Sequence, residues 1–249
     1  MKMLNKKQNR NNNEKMNPKN IYYKNPPDFD MLSKKYPEFK KFVYVNDYNG
    51  NYSINWKNKE AVKTLCKCLL KNDFNLEYWD IPDGFLIPSI TSRCNYIHWI
   101  HDLLEEYKLI QHNKDNIRGI DIGTGANCIY PILGHQIYKW IFTCTEINKE
   151  AIEIADEIVK RNKLENYIKI IKQDNKDNVF QNILNKDEFK DIIFHFSMCN
   201  PPYFNEEDEI KSDNPNTVSN IQLYIIFNFR FVSIIIMKYI VKVENINLL

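Results

Sequence analysis

The sequence contains no C-x-x-C motif, although six cysteines are scattered along its 249 residues. Disulfide frameworks and zinc sites need cysteines at characteristic paired spacings, so reduced thiols are the simpler interpretation. Reduced thiols predict a cytosolic or nuclear compartment. An excess of charge of one sign is also missing, because 34 basic and 32 acidic residues leave a formal net charge of +2. The overall charge therefore does not identify a partner.

Residues 1–20 have almost no apolar side chains and are rich in asparagine and lysine. Such a segment cannot bury enough surface to offset the entropy lost on ordering, so we expect a disordered basic tail. It has no continuous apolar stretch of the kind that a secretory signal contains. Its lysines suit a nuclear or RNA-contacting patch.

Residues 21–110 show a mixed pattern that predicts a small accessory module. Helical patterns lie at 28–36 and 59–70, with two strand-like runs between them, and a longer helical pattern ends near 107. In that last helix, His98 and His101 are three residues apart. No third ligand lies at a familiar spacing, so a packing or surface role is favoured over metal binding.

From residue 111 to 204 the pattern changes to alternating strands and helices. "IRGIDIG", "WIFTCTEI", "YIKIIK" and "DIIFHFSM" read as buried strands, and "NKEAIEIADEIVKRNKL" reads as an amphipathic helix. This alternation predicts an α/β fold with a parallel, doubly wound sheet. Ligands bind such sheets at the carboxyl ends of the strands.

A glycine turn follows the first of these strands in "DIGTGANC", which begins at Asp121. Gly123 and Gly125 let the chain turn sharply, but the third glycine of a dinucleotide fingerprint is missing. Glu146 ends the next strand, where a carboxylate can accept hydrogen bonds from ribose hydroxyls. Two cofactors stay possible at this turn: a dinucleotide, which favours the third glycine, and S-adenosylmethionine, which has no phosphate and for which the looser turn suffices. The end of the fourth strand decides between them.

The fourth strand ends in Asn200, Pro201, Pro202, Tyr203 and Phe204. An exocyclic amine such as adenine N6 is a poor nucleophile because its lone pair is delocalised into the ring. The Asn200 side-chain oxygen and a prolyl carbonyl can each accept one N–H and aim the nitrogen at a methyl donor. Tyr203 or Phe204 supplies a stacking face. A near copy, "NPPDFD" at 25–30, follows no apolar run, so we interpret it as a loop.

Several longer segments together resemble the methyltransferase-like protein sixteen family. They are "NPPDFDMLSKKYPEFK", "WKNKEAVKTL", "IPSITSRCNYIHWIHDLL", "RGIDIGTGANCIYPILG", "TEIN" and "MCNPPYF", and they extend over residues 22–204. The family includes RNA adenine-N6 methyltransferases that act on U6 small nuclear RNA, and bacterial relatives that act on large-subunit ribosomal RNA. The resemblance implies a Rossmann-like methyltransferase domain at 111–204 and a structured RNA substrate, with U6 small nuclear RNA the expected one.

The resemblance also implies roles for individual residues. Arg93, Asp121, Gly123, Gly125 and Glu146 are expected to bind S-adenosylmethionine, with Arg93 pairing the methionine carboxylate. The residues from Asn200 to Phe204 are expected to hold the adenine. Lys24 and Lys57 are expected to contact RNA, and no metal or membrane is expected to take part. The compartment implied is the nucleus, the cytoplasm or both.

Residues 205–249 depart from this family pattern. The stretch 205–220 suits a substrate loop, whereas the apolar run at 221–243 resembles nothing in the family. A central arginine makes a membrane span at 221–243 costly. Two interpretations stay open: a shortened sheet completed by one or two unusual strands, or a gene model that reads through an intron.

Two other functions also fit the residues. A chain with an incomplete sheet can bind RNA without turning it over. A glutamine-N5 protein methyltransferase uses the same Asn-Pro-Pro-Tyr chemistry on a protein amide. Label transferred to protein rather than RNA would indicate the second of these.

Overall fold

The computed structural model describes residues 16–107, 116–174, 180, 183, 186–200 and 235–236. The chain divides into two units, residues 1–103 and 104–249. The sequence predicted a boundary at residue 110, which lies outside the described residues. All six cysteines are free thiols.

The first unit combines short helices with a β-hairpin. Its elements are α1 (Phe29–Lys35), α2 (Pro37–Lys40), β1 (Val43–Val45), β2 (Tyr52–Ile54), α3 (Lys59–Phe74) and α4 (Ile90–Glu106). Asp28 begins α1, because its Oδ1 accepts a hydrogen bond from Met31 N at 2.9 Å. The near copy "NPPDFD" is therefore the approach to a helix. Asn75, with a left-handed φ of 53°, ends α3 four residues later than predicted.

Residues 16–20 differ from the predicted disordered tail. Asn17 is 2% exposed, its backbone N donates to Asn95 Oδ1 at 2.6 Å, and its Nδ2 donates to Asp102 Oδ2 at 2.5 Å. Asn20 Nδ2 donates to the Thr91 carbonyl at 3.2 Å. These amides bind polar groups on α4, so order here comes from hydrogen bonding, which apolar content cannot reveal. Residues 1–15 lie outside the described residues.

The second unit contains a five-stranded sheet in the order β5-β4-β3-β6-β7. The strands are β3 (Arg118–Ile122), β4 (Ile141–Glu146), β5 (Ile168–Lys172), β6 (Phe196–Cys199) and β7 (Ile235–Ile236). The first four are parallel, as the alternating pattern predicted, and β7 pairs antiparallel with β6. Helices α5 (Ile129–Tyr138) and α6 (Lys149–Arg161) follow β3 and β4.

The two faces of this sheet are built differently. One carries an aliphatic and aromatic cluster that contains Ile120, Ile171, Ile183, Phe189 and Phe194. The other carries stacked rings, because Phe196 lies 5.1 Å from Trp140 and 5.8 Å from Phe142, centroid to centroid. Both faces of the central strands are therefore buried, as a doubly wound sheet requires.

Glycines make room for two of these rings. A Cβ built on Gly119 in β3 would lie 2.4 Å from the Phe196 ring, and one on Gly134 in α5 would lie 2.6 Å from the Phe142 ring. Glycine is needed at both places because the rings pack directly on the backbone.

Most of the predicted tail, residues 205–249, lies outside the described residues. Its described part is β7, which adds one antiparallel strand to the sheet. Among the helices that the structure describes, none is long and apolar enough to cross a lipid bilayer.

We expect Gly119→Ala to destabilise the second unit by about 1–3 kcal/mol, because the added methyl overlaps a fully buried ring. Urea unfolding measures the change. Adding Phe196→Leu to Gly119→Ala should recover part of the loss, since the smaller side chain leaves space for the methyl. Wild-type stability in the single variant would contradict the packing described.

Candidate active site

Three parallel strands end side by side at one edge of the sheet. In the pairing register, Ile122 at the end of β3 lies opposite Thr145 in β4 and Cys199 in β6. The residues that directly follow Ile122, Thr145 and Cys199 are Gly123, Glu146 and Asn200. The register therefore brings the glycine turn, the acidic strand end and the amide of the Asn-Pro-Pro-Tyr segment to one edge. The sequence analysis predicted a shared edge from the alternation of strands and helices, because the carboxyl ends of parallel strands lie at the same edge.

The glycine turn has the geometry that its sequence predicts. Gly123 and Gly125 have φ values of +71° and +65°, which residues with a Cβ rarely adopt. The Gly123 N–H donates to the Thr145 carbonyl at 2.8 Å, which anchors the start of the turn to β4. A Cβ built on either glycine would meet no described atom within 4 Å, so open space lies in front of the turn.

The Glu146 carboxylate fixes the other side of the turn. Its Oε2 accepts from Gly125 N at 2.8 Å, and its Oε1 accepts from Ile147 N at 2.8 Å and Asn148 N at 3.0 Å. These bonds connect the loop after β3 with the loop after β4. A carboxylate has about four acceptor positions, so three backbone bonds leave room for one further donor.

The Asp121 carboxyl is buried beneath the turn. Asp121 is 1% exposed, and its Oδ2 has no hydrogen-bond partner among the described residues. Burial raises the pKa of Asp121 to about 7, and the neighbouring Glu146 charge also raises it. A side-chain hydrogen bond with Thr124 opposes this rise of the Asp121 pKa.

Thr124, between the two glycines, was not predicted as a site residue. Its side chain is buried and interacts with the Asp121 carboxyl and the Cys144 thiol. The signal available in the sequence was a polar side chain held between two glycines of a strand-ending turn. Thr124 and Asp121 together form a buried polar pair at the turn.

The predicted catalytic segment is described only at its first residue. Asn200 is half-buried and directly follows β6. The other four predicted catalytic residues, Pro201, Pro202, Tyr203 and Phe204, lie outside the described residues. Their roles stay predictions.

The remaining predicted site residues belong to the first unit. Arg93 is half-buried in the first turn of α4, where its backbone N donates to the Ser89 carbonyl at 3.0 Å. Lys24 and Lys57 are both exposed. Their predicted contacts, with a methionine carboxylate and with RNA, stay predictions.

The histidines of α4 have different surroundings. His98 is buried with its Nε2 3.6 Å from Cys94 Sγ, and burial lowers its pKa to about 4, so it is a neutral core residue. His101 lies beside the carboxylates of Asp102 and Glu105. The sequence analysis did not identify these two carboxylates as neighbours of the histidine. The Lys19 ammonium is 2.8 Å from Asp102 Oδ1 and 3.4 Å from His101 Nδ1. A lysine therefore supplies the positive charge at this cluster.

The sheet order, the glycine turn and the acidic strand end define a Rossmann-like methyltransferase fold. A family model described as RNA methyltransferase matches residues 10–225. The chain belongs to this RNA methyltransferase family. The match begins before the 22–204 range that the motifs indicated, and it ends close to the start of the apolar run.

Known proteins agree with this membership. The RNA N(6)-adenosine-methyltransferase mettl16 of Xenopus laevis is 42% identical over 210 residues, which cover 82% of this chain and 37% of the relative. The N-terminal domain of human METTL16 in complex with SAH is 39% identical, with a TM-score of 0.69, and the match covers 85% of this chain and 78% of that domain.

A second solved structure is the human METTL16 catalytic domain in complex with MAT2A 3′UTR hairpin 1. It is 41% identical, with a TM-score of 0.66, over 81% of this chain and 65% of that domain. The chain spans only 34–40% of the length of the first curated relatives that it matches.

We expect Asp121→Asn to remove one component of the pH dependence of stability. Because the folded pKa of about 7 exceeds the ordinary value of 3.8, the native state holds this proton more tightly. Its stabilising effect is therefore complete below about pH 4 and is lost as the pH rises through 7.

Urea unfolding of both proteins at several pH values measures this difference. Relative to the Asn variant, the wild type should lose on the order of 2–4 kcal/mol over that interval, since a tenfold change in proton affinity corresponds to about 1.4 kcal/mol. Parallel stability curves for the two proteins would show that Asp121 titrates normally.

Proposed function

We propose that the chain transfers a methyl group from S-adenosylmethionine to the N6 amine of an adenosine in structured RNA. The observation that carries this proposal is the pairing register, which brings Asn200 beside Gly123 and Glu146 at one edge of the sheet. A cofactor turn alone would fit many methyltransferases. An amide oxygen beside it supports an amine as the methyl acceptor.

The residues present fit this cofactor. A Cβ built on Gly123 or Gly125 would meet no described atom within 4 Å, so a small ligand can approach the backbone of the turn closely among the residues that the structure describes. Glu146 keeps one acceptor position for a ribose hydroxyl after its three backbone bonds. Arg93 is proposed to pair with the methionine carboxylate. When bound, S-adenosylmethionine supplies an electrophilic methyl group on a positively charged sulfur.

Asn200 is proposed to hold and orient the amine. Its side-chain oxygen accepts one N–H of the adenine amino group, and the Pro201 carbonyl accepts the other. These two hydrogen bonds pull the amino hydrogens out of the plane of the adenine ring. The lone pair of the nitrogen then points toward the methyl donor. Tyr203 or Phe204 stacks on the adenine after it leaves its own stack.

A strong base is not required for this reaction. The adenine nitrogen becomes acidic only once it carries the new methyl group and a positive charge. The proton can then pass through the accepting oxygens to water. The uncharged Asn200 amide is well suited to this role, because a carboxylate there would add a further negative charge beside Glu146.

The RNA is proposed to be a structured one, with U6 small nuclear RNA as the specific candidate and the nucleus as the compartment. Support comes from family membership and from the human relative whose catalytic domain was solved with an RNA hairpin. Lys24 and Lys57, both exposed in the first unit, are proposed to contact its phosphates.

We expect Asn200→Ala to lower methyl transfer at least a hundredfold, because the amine loses its orienting acceptor. Cofactor affinity should change little. Radiolabelled methyl transfer to an adenine-containing hairpin measures turnover, with a guanine-substituted hairpin as the blank. Calorimetry measures binding of S-adenosylmethionine.

Asn25→Ala is the matched control, since Asn25 precedes two prolines in the near copy and is exposed. It should leave transfer unchanged. Wild-type transfer in Asn200→Ala would refute the role of the amide. Label appearing in protein instead of RNA would favour the glutamine methyltransferase, and tight RNA binding without transfer would favour a non-catalytic binder.

A further inference from the structure

Exposed aromatic side chains are concentrated on and beside the β1–β2 hairpin. Tyr44 is 49% exposed, Tyr48 is 100% exposed, Tyr52 is 44% exposed and Trp56 is 59% exposed. Single exposed apolar residues are ordinary, but four large rings within thirteen residues form a patch of the kind that marks a binding surface.

The hairpin pairing separates these rings from the core. Ile54 is buried and shares a face with its partner Val43, and both strands contact α1. Tyr44 pairs with Ser53, so its side chain points to the opposite face. Tyr52 pairs with Val45 at the far end, where both are about half exposed. Tyr44 therefore does not cover the core of the first unit. Tyr52 lies on the same face as Ile54, and the Trp56 ring contacts the Phe29 ring at 6.1 Å, centroid to centroid.

The loop at 46–51 holds Tyr48 at the tip of the hairpin. Asn46 Oδ1 accepts from Tyr48 N at 2.9 Å, and the Asn46 carbonyl accepts from Gly50 N at 2.8 Å. These bonds fix the backbone on both sides of the ring. Tyr48 is thus presented to solvent by an ordered turn, which reduces the entropy lost when a partner binds it.

The charge around the hairpin favours an anionic partner. Residues 38–60 contain four lysines, Lys40, Lys41, Lys57 and Lys59, and three acidic residues, of which Glu60 pairs with Lys63 at 3.6 Å and Glu38 and Asp47 complete the set. None of the four lysines forms an ion pair with another residue that the structure describes. Lysine is depleted from protein–protein interfaces, whereas lysines interleaved with exposed aromatics are typical of surfaces that bind single-stranded nucleic acid.

We propose that the hairpin, with Trp56, stacks unpaired nucleotides that flank the structured part of the RNA. The rings of Tyr44, on the face opposite Ile54, and Tyr48, at the tip, offer faces to the bases, and the four lysines contact the phosphates between them. This inference rests on the proposed RNA substrate, and it adds a preference for RNA with a single-stranded extension.

The test compares two double variants of the full chain. Tyr44→Leu with Tyr48→Leu removes two rings but keeps apolar bulk, and Tyr44→Phe with Tyr48→Phe keeps the rings. Both sites are exposed, and a thermal unfolding midpoint checks that each variant folds. The probes are a hairpin RNA with a single-stranded uridine extension and the same hairpin with a blunt end, each bound at fixed salt.

The leucine variant should bind the extended hairpin about tenfold more weakly or worse, as expected when two stacked bases are lost. The phenylalanine variant should match the wild type within about twofold. Binding to the blunt hairpin should not change, and neither should the slope of affinity against salt, because the phosphate contacts remain.

Equal affinity of the leucine variant and the wild type for the extended hairpin would overturn the proposal. An equal loss on both RNAs would do so too, because stacking of unpaired bases would then not be the cause. A change in oligomeric state confined to the leucine variant would assign the patch to protein association instead. Binding is measured without methyl transfer, so failure of this inference and failure of the proposed reaction give different results.

Discussion

The arrangement of this site depends on one carboxylate that accepts three backbone hydrogen bonds. Glu146 binds the N–H of Gly125 on one side and those of Ile147 and Asn148 on the other. Hydrogen bonds to a charged acceptor are stronger than neutral ones, so the loops after β3 and β4 are held as a unit. The glycine turn therefore has a fixed shape before any ligand arrives, and the edge needs little rearrangement to accept one.

A second constraint is electrostatic. Asp121 and Glu146 place two acidic groups close together, and burial makes charging of Asp121 unfavourable. A ligand with positive charge relieves this repulsion, whereas an anionic one would add to it. The acidic surroundings and the missing third glycine both fit a cofactor without phosphate groups. Shape and charge agree here, although the sequence analysis had considered only shape.

Much of the second unit could be predicted because its signals are local. Buried strands alternate with an amphipathic helix, and strand ends in a parallel sheet must share one edge, so Gly123, Glu146 and Asn200 were brought together correctly. Helix α5 gave no comparable signal, since it contains Pro131 and Gly134. Its proline lies in the first turn, where a missing N–H costs little, and its glycine admits the Phe142 ring. The sequence alone does not show why this helix tolerates a proline and a glycine, because both explanations depend on the packed structure.

Other features depended on partners far apart in the chain. Order at residues 16–20 comes from amide contacts with α4, about 80 residues away, and a polar composition gives no sign of them. The burial of Asp121 and Thr124, and their interaction with each other, depend on the residues packed around them, so no spacing rule identifies them. The exposure of Tyr44 is likewise a property of the hairpin, since a tyrosine in a short strand pattern is more often buried.

The packing of rings against Gly119 and Gly134 also affects how this protein can change over time. A methyl group at either glycine requires a smaller neighbouring side chain, so a substitution at one position needs a second substitution at its partner. The two coupled pairs are Gly119 with Phe196 and Gly134 with Phe142. Both pairs should be nearly invariant among relatives although they contact no substrate. Conservation at the centre of this sheet would then reflect packing constraints. Changes of catalytic activity would instead be visible as sequence variation in the loops at the carboxyl ends of the strands.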